Sequence, residues 1–130
     1  MLYSILFLVG RVLFGGYFVM AGYSHFKNTA MLVGYAQSKG MKQGKIAVLV
    51  SGVLLVAGGL GVLFGVAIQI AVACLILFLV PVSFIMHAYW KVTDPMAKMG
   101  DMVNFNKNMA LVGAALMLLM LPMPWVWNLF

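Results

Sequence analysis

The chain contains no glutamate and only two aspartates, Asp94 and Asp101, among 130 residues. That scarcity excludes paired-carboxylate catalysis and a carboxylate relay for pumping protons across a membrane. A single cysteine, Cys74, excludes a disulfide framework or a zinc site built on thiolates. It lies in an apolar run and reads as a small packing hydrophobe. Two histidines, His25 and His87, are too few to make metal chemistry the first choice, and no metal site is expected. No nucleophile triad or phosphate-binding glycine loop can be assembled. Charge itself is scarce: 8% of residues are charged, against about 25% in an ordinary soluble domain.

What remains is hydrocarbon, with 65% of residues hydrophobic. From Ile46 to Met86 no side chain is charged, and only Ser51, Gln69 and Ser83 are frankly polar. As helix, these roughly 40 residues would reach about 60 Å, twice the hydrocarbon thickness of a bilayer. The run therefore folds back once, and Gly65-Val66 at its midpoint permits the turn. Four spans follow: about 2–26, 45–64, 66–88 and 105–121, within a single transmembrane domain over 1–130. The fold class is all-α, an integral membrane four-helix bundle with lipid as solvent for most of its surface.

The first and third connections each predict a short interfacial helix. In the first, Thr29 reads as the cap of a helix running to Ser38 and ended by Gly40. In the third, Asp94-Pro95 is a cap followed by proline at the first helical position, and the helix is expected to end near Met102. The net charge of +6 follows topology rather than nucleic-acid binding. Lys27, Lys39, Lys42, Lys45, Lys91, Lys98 and Lys107 all lie in or beside these two connections. The positive-inside rule puts both connections in the cytoplasm and both termini outside. Tryptophans in Pro122-Met123-Pro124-Trp125-Val126-Trp127 suit an interfacial belt at the outer face.

Small residues recur at helical spacing: Gly15 and Gly22 in span one, and Ser51, Gly58, Gly61 and Gly65 in span two. They predict close helix packing. Arg11 is the sharpest single feature, because a charge deep in a span faces the bundle interior or a watery cavity unless it snorkels out. With no acid in any span, its partners would be helix carbonyls, Tyr17 or an anionic ligand. Arg11, Gly15, Phe18, Gly22 and His25 share one face. A matching stripe in span three is Gln69, Ala73, Ile76, Val80, Ser83 and His87, with Pro81 expected to kink the helix. The two stripes are expected to face each other.

Folding back gathers His25, His87, Tyr89, Trp90, Asp94, Asn104, Lys107 and Asn108 at the lysine-bearing face. Three readings compete: helix capping with no ligand, a polar mouth for a quinone or other amphipathic redox ligand, and haem or metal ligation by the two histidines. The cofactor-binding candidates are Arg11, His25, Ser83, His87, Trp90 and Asn108. A quinone is the cofactor they suit best, and haem is disfavoured.

The ordered elements Gly10-Arg11, Gly22-Tyr23-Ser24-His25-Phe26, Pro81, His87-Ala88-Tyr89-Trp90, Asp94-Pro95 and Asn104 to Leu111 resemble the DoxX family of small four-helix bacterial membrane proteins. The resemblance runs from about Gly10 to about Leu119. It implies a protein of the bacterial cytoplasmic (inner) membrane that partners a redox system. The family is named for a subunit linked to thiosulfate:quinone oxidoreductase. The resulting expectation is an oxidoreductase-associated membrane subunit with a quinone-accessible pocket. The alternative is a non-catalytic anchor that recruits a soluble redox enzyme or other membrane subunits, or that self-associates as a homo-oligomer. Having no cysteine pair, the chain cannot carry sulfur chemistry on its own thiols.

Overall fold

A computed structural model describes residues 1–128, so the last two residues of the expected 1–130 domain lie outside the described part. Five α-helices and one 3-10 turn follow in order: α1 (Leu2–Lys27), α2 (Thr29–Ser38), α3 (Gly44–Phe64), α4 (Ile68–Met86), the turn Tyr89–Lys91, and α5 (Pro95–Leu118). No strand occurs among the described residues. Three stretches are long and apolar enough to cross a bilayer: Leu2–Lys27, Gly44–Phe64 and Ile68–Lys91. Large side chains pointing away from the bundle are apolar; Leu13, Met20, Ile70 and Leu77 are 62–73% exposed. Such a surface suits hydrocarbon and not water.

The uncharged run folds back where expected. Gly65 takes φ +70° and closes α3, and the Val66 amide donates to the Gly61 carbonyl at 2.9 Å. This left-handed cap satisfies carbonyls that the helix end leaves open. α3 then packs between α1 and α4, with α2 lying across α3 and α5 against α4.

The tightest seam joins α1 to α3. A β-carbon on Gly15 would sit 2.7 Å from the Gly59 carbonyl oxygen, and one on Gly59 would sit 2.7 Å from the Gly15 carbonyl oxygen. Two turns away, Gly22 and Gly52 are likewise closed against Val56 and Phe26. Without a hydrophobic drive between helices in lipid, such close backbone approach is what dispersion needs.

Arg11 is 2% exposed, on the predicted inward face with Gly15, Phe18 and Gly22. Its partners are carbonyls. Nε donates to Val62 at 3.3 Å, Nη2 to Leu63 at 2.8 Å and Trp127 at 3.4 Å, and Nη1 to Val126 at 2.5 Å. The guanidinium thus fills the negative end of the α3 dipole and holds the C-terminal tail. Phe7 and Trp125 flank it, with ring centroids 5.8 and 5.7 Å from Cζ. Trp125 is buried, and its indole N–H has no acceptor among the described residues.

Three local expectations are corrected. Thr29 does not cap α2: its hydroxyl donates to the His25 and Phe26 carbonyls at 2.8 Å, tying α2 back to α1. The helix begun by Asp94 does not end at Met102. Asp94 accepts from the Ala97 amide at 2.9 Å with Pro95 next, and α5 then runs unbroken to Leu118. Nothing between Met102 and Phe105 breaks a helix, and a lone Gly100 is tolerated. The stretch from Pro95 to Asn108, carrying Lys98, Asp101, Lys107 and three asparagines, keeps α5 out of the apolar spanning class. Finally, the buried face of α4 is Ile68, Val72, Leu75, Leu79, Ser83 and Met86, while Gln69 and Ala73 are exposed. The inward face of α1 meets α3, not α4.

Candidate functional site

Because the long helices alternate in direction, the end of α1, all of α2, the start of α3, the end of α4 and the start of α5 converge at the lysine-bearing end. Two cavities lie there. The larger, about 350 Å³, is bounded by Leu32, Tyr35 and Ala36 of α2, Val48, Ser51 and Leu54 of α3, and Leu77 to Met86 of α4. That is within the size range of small-molecule sites, and the walls are mostly apolar as such sites are. Val50 and Leu77, 52% and 62% exposed, stand at its rim, so it opens sideways onto the hydrocarbon. Pro81 is on the wall and has no N–H for the Leu77 carbonyl. The smaller cavity, about 160 Å³, lies between α1, α4 and α5 and is lined by Tyr17, Lys107 and Asn108 among others. His25, Phe78, Val82 and His87 line both.

Each imidazole is held by one nitrogen. His25 Nδ1 lies 2.8 Å from Ser51 Oγ and 3.2 Å from the Val48 carbonyl. The carbonyl can only accept, and the Ser51 hydroxyl itself donates to that carbonyl at 2.8 Å. The proton is therefore assigned to His25 Nδ1. His87 Nδ1 lies 3.1 Å from Asp101 Oδ1, and Asp101 Oδ2 accepts from Lys39 Nζ at 2.7 Å. An ionised carboxylate is again an acceptor, so His87 also carries its proton on Nδ1. Asp101 is 7% exposed. Burial pushes its carboxyl up, but hydrogen bonds from Lys39 and His87 outweigh that and hold it below the ordinary value. The hydrogen bond to Asp101 raises Lys39, while burial raises Tyr35. The Lys39–Asp101–His87 chain thereby fastens α2 to α5 across the end of α4.

Three of the six predicted binding residues, His25, His87 and Asn108, meet at these cavities. The other three lie elsewhere. Arg11 is fourteen residues from His25 on the same helix, about 21 Å along the axis, and serves the far end. Ser83 is fully buried, and its hydroxyl donates to the Leu79 carbonyl of its own helix at 2.6 Å. Trp90, half exposed, stacks edge-on with Tyr89 and Phe105 beside Phe84. Asp101, Lys39 and Ser51 also belong to the site, although none is among the binding candidates read from the sequence. The signal for Asp101 was its spacing of three and seven from Asn104 and Asn108, which share a face with it once α5 is continuous.

Apolar outward faces, three bilayer-length helices and a polar cluster confined to one end define a multi-pass helical membrane protein. The family model described as DoxX matches residues 6–88, well over half the chain. The chain belongs to the DoxX family. The matched stretch holds Arg11, His25 and His87, whereas Asp101 and Asn108 lie beyond it. No curated protein and no solved structure matches the chain.

Proposed function

We propose that this protein is a membrane subunit of a redox system in the bacterial cytoplasmic membrane and takes a ligand of the quinone pool from the bilayer. The observation behind this reading is the cavity of about 350 Å³ that opens to hydrocarbon at Val50 and Leu77 and ends on the His25, Ser51 and His87 side chains. An amphipathic ring with a long apolar tail has that distribution of surface: a tail that tolerates lipid and a head that needs hydrogen bonds. The positive-inside rule, applied to the lysines at the same end, supports a cytoplasmic position for that end with both termini outside. A soluble redox partner would then approach the lysine face, next to the pocket.

Quinone should co-purify with the protein and be recovered from lipid extracts in near-stoichiometric amount. Titration with decylubiquinone should saturate, and Val82→Trp, which fills the wall shared by the cavities, should abolish it. Extracts free of quinone together with no saturable binding would refute the proposal.

A further inference from the structure

The hydrogen-bond polarity of the site selects one oxidation state of its ligand. Both histidines spend their Nδ1–H on the protein, His25 on Ser51 and Val48 and His87 on Asp101. Neither Nε2 has a partner among the described residues, and neither is sealed off in apolar packing. On neutral imidazoles both Nε2 atoms are therefore bare acceptors on rings that line the cavities. A third group points the same way. Asn108 is 6% exposed and lines the smaller cavity, yet its amide has no hydrogen-bond partner among the described residues. Neither amide atom is sealed off, so both are open to a ligand in the cavity.

A ring dione offers only acceptors, so against two bare imidazole nitrogens it would leave lone pairs facing lone pairs. A ring diol offers two O–H donors, one for each. We infer that the pocket binds the reduced, dihydroxy form of its aromatic ligand in preference to the dicarbonyl form, with His25 and His87 Nε2 accepting from the two hydroxyls. Asn108, which can give or accept, fits either form, as do the rotatable hydroxyls of Tyr17 and Tyr35. Among the side chains that line the two cavities, Lys107, exposed at the edge of the smaller one, is the obligate donor. This inference rests on the quinone-pool reading above and adds to it which form is held.

Asp101 acts here as a positioning residue: it fixes the His87 proton on Nδ1. Lys39 can only donate, so in Asp101→Asn it would claim the amide oxygen and leave the NH₂ facing His87. His87 would then have to accept at Nδ1 and carry its proton on Nε2. The acceptor in the pocket would become a donor.

The test is anaerobic titration of the purified protein with decylubiquinol and decylubiquinone at about pH 8.5, where ordinary imidazoles are neutral. The wild type should bind the quinol tighter by about tenfold or more, the scale of one hydrogen bond gained against one acceptor left facing another. Asp101→Asn should erase or invert that ratio. Nitrogen-15 spectra of labelled histidine should show both protons on Nδ1 in the wild type and one moved to Nε2 in the variant. Equal affinity for the two forms, or tighter quinone binding, would overturn the inference and leave the pocket standing. No binding of either form would overturn both. Should Asp101→Asn fail to fold, wild-type spectra showing Nε2–H on either ring would still overturn it.

Discussion

Adjacent glycines in α1 should respond oppositely to the same added methyl. At Gly15 a β-carbon would lie 2.7 Å from the Gly59 carbonyl oxygen and 2.8 Å from the Leu63 amide nitrogen. Both neighbours are backbone, so neither can rotate away. To reach ordinary contact the helices would have to part locally by about 0.7 Å, and a gap of that size forfeits roughly a quarter to a half of each dispersion well along the seam. In lipid that dispersion is the main force holding the pair. Overpacking of this kind costs about 1–3 kcal/mol. At Gly16 a β-carbon meets nothing within 4 Å. There alanine should stabilise by about 0.5–1 kcal/mol through helix propensity and reduced freedom of the unfolded chain. The two variants should therefore differ by about 1.5–4 kcal/mol, on the sum of those effects. Reversible unfolding in mixed micelles, followed by far-ultraviolet circular dichroism, gives both values against the wild type. Equal stability of Gly15→Ala and Gly16→Ala would refute the glycine seam as the basis of the α1–α3 pairing.

Arg11→Lys should cost on the order of 2 kcal/mol, because one ammonium cannot reach acceptors on both α3 and the tail as the planar fork does; limited proteolysis should then cut beyond Leu121. The Lys39–Asp101 pair predicts a plateau of stability across the middle of the pH range. Asp101 is lowered, so its contribution is complete above its ordinary value of 3.8 and lost as pH falls through the lower folded value. Lys39 is raised, so its share is complete below 10.5 and lost as pH rises through the higher folded value. Melting temperatures taken across pH check both edges, and Asp101→Asn should flatten the acid one. Trp125→Phe should be neutral or stabilising by up to about 1 kcal/mol, since it removes a buried N–H with no acceptor, whereas Trp125→Ala should cost about 3–5 kcal/mol. Equal losses in the two variants, measured by the same unfolding assay, would show that the indole N–H is satisfied.

The long uncharged run and Gly65 made the α3–α4 hairpin legible, because lipid forbids exposed charge and a left-handed cap favours glycine. The inward face of α1 was legible for the same reason: Arg11 had to be hidden, and Gly15, Phe18 and Gly22 share its face. Its acceptors were not, since every residue carries a carbonyl and nothing in the letters marks Val62, Leu63, Val126 and Trp127. In α4 the few polar side chains misled. Gln69 lies near the exposed hairpin turn and can stay outside, so the stripe drawn through it missed the packed face. On α3, Gly58 packs closely as expected, against Leu75 of α4, whereas the glycines facing α1 are Gly52 and Gly59, one position along from the stripe through Ser51 and Gly58. Asp101 was overlooked because an acid near a lysine-rich loop reads as solvated. Its partner Lys39 is 62 residues away in the sequence.

Two of the acceptors of Arg11, Val126 and Trp127, are made 115 and 116 residues after it. Until they arrive, the guanidinium has only the end of α3 to neutralise it, and before α3 it has headgroup water. Burying that cation before the tail is made would leave its Val126 and Trp127 contacts unfilled, so α1 is expected to reach its final depth only after the chain has threaded back three times. Carbonyls made after α5 complete the surroundings of a cation made in α1. Biogenesis is thus a closing loop rather than a queue of independent insertions, and any graft that displaces the tail would be felt first at residue 11.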